Sequence, residues 1–107
     1  MKKPKNLLEF PMSAQVGLTV DRALWDEAAH RNFDIGARSG RELAPSYWVV
    51  RNHKVEQVDR MTLTLAERRW LAALLKAAGE MLADAKIGGC TVEEVLAEMK
   101  RQWDQRP

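Results

Sequence analysis

Two matching signals near the end of this chain constrain its fold more than any other feature: Thr64-Leu65-Ala66-Glu67 and Thr91-Val92-Glu93-Glu94, on either side of Gly88-Gly89. Each has the S/T-x-x-E pattern of a capping box, in which a hydroxyl and a carboxylate satisfy each other's backbone amides at a helix start. The spacing predicts one helix from Leu65 that stops at the glycines, which take a left-handed terminus cheaply, and a second from Val92. The first carries Trp70, Leu71, Leu74, Leu75, Ala78, Met81, Leu82 and Ala85 on one stripe, with Arg69, Lys76, Glu80 and Ala83 opposite. Gly79 inside it costs ~1 kcal/mol relative to alanine unless a close neighbour needs the space. In the second helix Val92, Val95, Leu96, Met99 and Trp103 form a narrow stripe, and Cys90 is placed to pack on Val95. Together the segments predict a helical hairpin.

Upstream, the period changes. From Ala14 to Val20 the apolar Val16, Leu18 and Val20 alternate with Gln15, Gly17 and Thr19, the pattern of a half-buried strand. Asp21 is suited to cap a helix of about three turns over Arg22 to Arg31. Asn32, Asp34, Gly36, Ser39, Gly40 and Pro45 then predict a loop up to Ser46, with one short helical turn at Gly40 to Leu43. Tyr47-Trp48-Val49-Val50 and Val55-Glu56-Gln57-Val58 predict a hairpin turning at Asn52-His53, so that Val50 faces Val55, Trp48 faces Gln57 and Tyr47 faces Val58. That register puts Trp48, Val50 and Val55 on one face. It also makes Arg51 and Lys54 a like-charge pair, unfavourable unless a carboxylate or another anion meets them.

The expected architecture is α+β: a small antiparallel sheet, made of strand 14–20 and the 47–58 hairpin, packed on one short helix and the C-terminal helical hairpin. Residues 1–13, with three lysines and two prolines around Leu7, Leu8 and Phe10, read as a flexible basic tail and docking segment. Residues 14–107 read as a single domain.

Composition narrows the function classes. No apolar run approaches the ~20 residues of a membrane span, and no apolar segment of a secretory signal follows the basic start, so the expected address is cytoplasmic, with no membrane partner. The single cysteine, Cys90, provides neither an internal disulfide nor a zinc site, and is read as a buried packing residue. Asp26, His30 and Asp34 are spaced i, i+4, i+8, but a helix ending near Arg31 would not align them as a metal site. His53 is read as a turn residue. The glycines lack the Lys-Ser/Thr of a phosphate loop. No catalytic residue, metal or cofactor is therefore expected.

What remains is binding. The net charge of +2 resides in residues 38–60, where Arg38, Arg41, Arg51, Lys54 and Arg60 face only Glu42, Glu56 and Asp59. Four tryptophans are many for 107 residues; Trp48 and Trp70 are expected in the core. Trp103 extends the last helical stripe, with Met99, to a polar terminus that has little to cover it, and is the leading interface candidate. These residues suggest a small non-enzymatic regulator or inhibitor that binds a protein partner; the last helix is the expected contact if the chain forms a homodimer. Small motif-free regulators of this kind also occur on phages and mobile elements.

A second reading comes from Val16-Gly17-Leu18-Thr19-Val20-Asp21, followed by Leu24, Ala28, Gly36 and Ser39-Gly40-Arg41-Glu42-Leu43. This run resembles the ribbon-helix-helix DNA-binding pattern. The resemblance implies a strand in the major groove, with Gln15, Gly17 and Thr19 reading bases, in a DNA-binding transcriptional regulator using the basic 38–60 region. Its second helix would run through Pro45, against the strand-like Tyr47 to Val50.

Overall fold

The computed structural model describes residues 21–39 and 42–105. They form helix α1 (Arg22–Ser39), strands β1 (Ser46–Arg51) and β2 (Lys54–Asp59), a 3-10 turn (Arg60–Thr62), helix α2 (Leu65–Ile87) and helix α3 (Val92–Asp104). The fold is α+β: three helices and a two-stranded antiparallel hairpin, with α1 packed on the sheet and α2 and α3 following. The tail expected at 1–13 and the strand expected at 14–20 lie outside the described residues, as do Gly40 and Arg41 of the expected short turn.

The hairpin has the register its sequence predicts, pairing Tyr47 with Val58, Trp48 with Gln57, Val50 with Val55 and Arg51 with Lys54. Asn52 and His53 both have positive φ, 55° and 59°, the backbone of a type I′ turn whose twist matches that of the strands. The like-charge pair beside the turn is met by carboxylates on both sides: Arg51 bonds Glu67, and Lys54 lies 3.3 Å from Glu56. The more deeply buried face is Tyr47 and Val49, rather than that of Trp48, Val50 and Val55, which are half-buried against the core. Trp48, Val50 and Val55 pack at the margin of the cluster that buries Tyr47 and Val49, so both faces of β1 are partly covered.

Helix α1 departs most from expectation. It does not stop near Arg31 but continues through Asn32, Asp34 and Gly36 for 18 residues. Its buried positions Trp25, Ala28, Ala29, Asn32 and Phe33 form one unbroken i, i+3, i+4, i+7, i+8 stripe. Two tertiary contacts override the turn-forming preferences. The Asn32 side chain, 0% exposed, donates from Nδ2 to the Trp48 carbonyl and accepts from the Trp48 amide, both at 2.7 Å. In an antiparallel pair a residue's amide and carbonyl both point to the partner strand or both away from it. Trp48 therefore presents both groups to the outer edge of β1, where the Asn32 amide completes one rung of a ladder. At Gly36, an added Cβ would lie 2.7 Å from Cδ2 of Leu75, so the Leu75 side chain of α2 fills the space a larger residue would need. Asp21 does not cap α1 with its side chain: its carbonyl accepts from Leu24 and Trp25, and its carboxylate lies 2.8 Å from His53 Nδ1.

The C-terminal pair forms as its capping boxes predict, with the reciprocal hydroxyl and carboxylate bonds present at Thr64/Glu67 and Thr91/Glu94. Gly89 supplies the left-handed residue between the helices, at φ 86°. Two apolar clusters share α1. One joins Trp25, Ala28 and Ala29 to Tyr47, Val49, Trp70 and Leu74, with the Trp25 and Trp70 rings edge to face at 4.8 Å. The other joins Phe33 to Ala78, Val95, Leu96 and Met99, and Cys90 packs at its margin. The ribbon-helix-helix pattern is not matched beyond α1: its second helix would occupy the positions where β1 runs.

Candidate binding cleft

Alongside the buried stripe of α1, Arg31, Asp34, Ile35 and Arg38 border a space shared with α3 and with Trp48 of β1. There, Arg31 extends over the half-buried indole of Trp48, with the guanidinium carbon 4.4 Å from the ring centroid. One residue earlier on α1, His30 stacks on Trp103 of α3, centroids 4.5 Å apart and planes 3° from parallel. Beside these pairs a cleft of about 560 Å³ opens, walled by α1 and α3, with Ile35, Trp48, Leu96 and Met99 as its apolar floor. Arg31, Asp34 and Arg38 line it from α1, and Glu93 and Lys100 line it from α3. The volume is within the range of ligand and anchor-residue pockets.

The charges around it are arranged in pairs. Arg38 lies 3.3 Å from Asp34 and 3.6 Å from Glu93, tying the C-terminal end of α1 to the start of α3. Arg31 reaches Glu27 at 3.6 Å, and Lys100 reaches Asp104 at 3.0 Å; these are i, i+4 partners on the solvent side of each helix.

The candidate residues named from sequence do not form one surface. Arg51 does not line the cleft; it is bonded through Nε and Nη2 to both carboxylate oxygens of Glu67 and through Nη2 to the Thr62 carbonyl. Burial raises the Glu67 carboxyl, but the Arg51 guanidinium and the Thr64 amide outweigh it and hold the group below the usual carboxylate range. The Arg51 guanidinium is correspondingly held further above its ordinary value, chiefly by its bond to Glu67. This partly buried fork joins the hairpin to the start of α2. Lys54 is exposed on β2 beside Glu56. Arg60 is half-buried in the 3-10 turn, its amide donating to the Pro45 carbonyl. Arg41 lies outside the described residues.

Met99 is 1% exposed and belongs to the core, so it borders the cleft from beneath and offers it little surface. Trp103 is half-buried, and the cover its position in sequence did not predict is the His30 ring. Arg31, Trp48 and Lys100 were not singled out for this cleft in the sequence. They are brought together by packing across long separations, and no local motif records it. Asp26, His30 and Asp34 do share the extended helix, but among the described residues no three His, Cys, Asp or Glu side chains converge on a metal position.

No family model, curated protein or solved structure matches this chain. The geometry therefore stands by itself. Among the described residues no helix is long and apolar enough to cross a membrane.

Proposed function

We propose that this chain is a small non-enzymatic regulator or inhibitor that acts by binding a protein partner. The observation that carries the reading is the cleft between α1 and α3, where an arginine-covered tryptophan and a histidine–tryptophan stack flank an apolar floor. Aromatic residues and arginine are the groups most enriched where proteins bind one another. The pairing of charges supports protein over nucleic acid. Arg38, Arg51 and Lys54 each have a carboxylate partner, and they are divided between the two ends of α2. A phosphate backbone is held by a continuous row of available cations, and its binding weakens steeply with salt.

Two measurements test the reading. Random duplex DNA should migrate unretarded with the chain at low and at moderate salt. The tagged chain, purified from its native cell, should carry a partner protein in fixed stoichiometry. Retardation that disappears as salt rises, with no protein retained, would replace this reading with the DNA-binding one.

A further inference from the structure

Resting on that reading, we propose that the α1–α3 cleft docks an acidic segment of the partner, one in which carboxylates flank an aromatic or aliphatic anchor. Three cations line the cleft, Arg31, Arg38 and Lys100, against two carboxylates, Asp34 and Glu93. Both carboxylates are held by Arg38. The partners of Arg31 and Lys100, Glu27 and Asp104, are not part of the cleft lining. Facing walls thus each present a cation whose present partner lies outside.

Those outside pairs are easily exchanged. Side-chain exposure is 43% and 38% for Arg31 and Glu27, and 73% and 60% for Lys100 and Asp104. Exposed i, i+4 pairs hold their members weakly. An incoming carboxylate on the Arg31 and Lys100 side of the cleft breaks no buried bond and meets a cation from each wall. Trp48, Leu96 and Ile35 supply the apolar floor for the anchor, with the Arg31 guanidinium already lying on the indole. The number of cations also defines the ligand. One cation on each wall accepts one or two carboxylates, whereas a longer run of anions would meet Asp34 and Glu93 along the same path.

The test uses the full chain, labelled with nitrogen-15, and a capped peptide with one Asp or Glu on each side of a single Phe. A peptide with Asn/Gln in place of the acids is the control. The acidic peptide should shift the Trp48 indole and the Ala97 amide saturably, and the neutral peptide should bind about tenfold more weakly or worse. An Arg31→Gln/Lys100→Gln variant with unchanged amide dispersion should show the same loss, and an Arg69→Gln/Lys76→Gln variant on the outer side of α2 should show none. Equal binding of both peptides, shifts centred elsewhere, or no binding of the acidic peptide overturns the proposal. If the Arg31→Gln/Lys100→Gln chain still purifies with its native partner at wild-type yield, the cleft is not the site, although the protein-binding reading survives. If wild type retains no protein and retards duplex DNA, the reading beneath the proposal falls with it. Dimerisation of wild type that the variant abolishes, without peptide binding, would assign the cleft to a second copy and likewise overturn it.

Discussion

Asn32 is where the fold is most exposed to a single substitution. Its amide makes two bonds of 2.7 Å to the backbone of Trp48 and is fully buried in the middle of α1. Asn32→Ala would leave a strand amide and a strand carbonyl without partners. Each unsatisfied buried group costs ~1–3 kcal/mol, and both belong to one residue at a partly covered edge, so the pair should cost ~2–5 kcal/mol. Alanine returns ~0.5 kcal/mol through its better helix propensity. The net loss is then about 2–4 kcal/mol, against a total of ~5–10 kcal/mol for a domain of this size. With a urea slope of ~1–1.5 kcal/mol/M, the unfolding midpoint should fall by about 1–4 M with little change in slope. Asn32→Leu separates bonding from volume, because it refills the space and restores neither bond; it should be as destabilised as the alanine variant. Asn32→Asp keeps the acceptor for the Trp48 amide but places a carboxylate against the Trp48 carbonyl. It should therefore regain stability as the solution is acidified through its own raised pKa. An alanine variant within 0.5 kcal/mol of wild type, or a leucine variant as stable as wild type, would show that the ladder rung does not hold the helix to the sheet.

Two glycines on helices should behave in opposite ways. Gly79 has nothing within 4 Å of an added Cβ, so Gly79→Ala should stabilise by ~1 kcal/mol in urea unfolding; Gly36→Ala should destabilise, and become stabilising in a Leu75→Ala background that removes the clash. For Glu67 the carboxyl is held below its ordinary value, so its contribution is present above the unfolded-state pKa of ~4.3 and is lost as pH falls through the lower folded value. Glu67→Gln should accordingly flatten the fall in urea midpoint on acidification; an acid limb as steep as that of wild type would refute the fork's role. Trp103→Ala should retain wild-type helicity by circular dichroism but lose ~0.5–1.5 kcal/mol or more, because the His30 stack goes with the indole.

What could be seen in the sequence was whatever is bonded locally. The capping boxes join residues three apart, and the hairpin register follows from two turn residues with positive φ, so both could be derived without tertiary information. The second half of α1 could not. Asn32 and Gly36 have low helical preference, and their compensation lies in β1 and α2, 16 and 39 positions further on. A signal was nonetheless present: counting Asn32 and Gly36 as members of the Trp25, Ala28, Ala29, Phe33 stripe, rather than as breaks in it, leaves the helical period intact. The candidate surface was harder still. Basic residues clustered in sequence between 38 and 60 are separated by the fold, because β1 and β2 carry Arg51 and Lys54 to the start of α2 while Arg38 meets α3 beyond its end. Met99 was named with Trp103 as part of a stripe running to a terminus with little to cover it; a second cluster under the C-terminal half of α1 uses it.

Successive residues on a helix are rotated by about 100°, so α1 carries its structural and its candidate binding residues side by side in sequence yet on different faces. Asn32 and Arg31 are the sharpest case. Arg31 holds an exposed pair with Glu27 and lies on the Trp48 indole, contributions of roughly 0.3–0.5 and 0.5–1 kcal/mol. Arg31→Gln should therefore lower stability by no more than ~1.5 kcal/mol, while its neighbour Asn32→Ala loses about 2–4 kcal/mol. Binding should rank them the other way: at a temperature where both remain folded, the Arg31 variant loses the acidic peptide and the Asn32 variant keeps it. If the two variants instead lose stability and binding in the same proportion, the cleft and the ladder rung are one cooperative unit, and α1 does not divide fold from recognition between its faces.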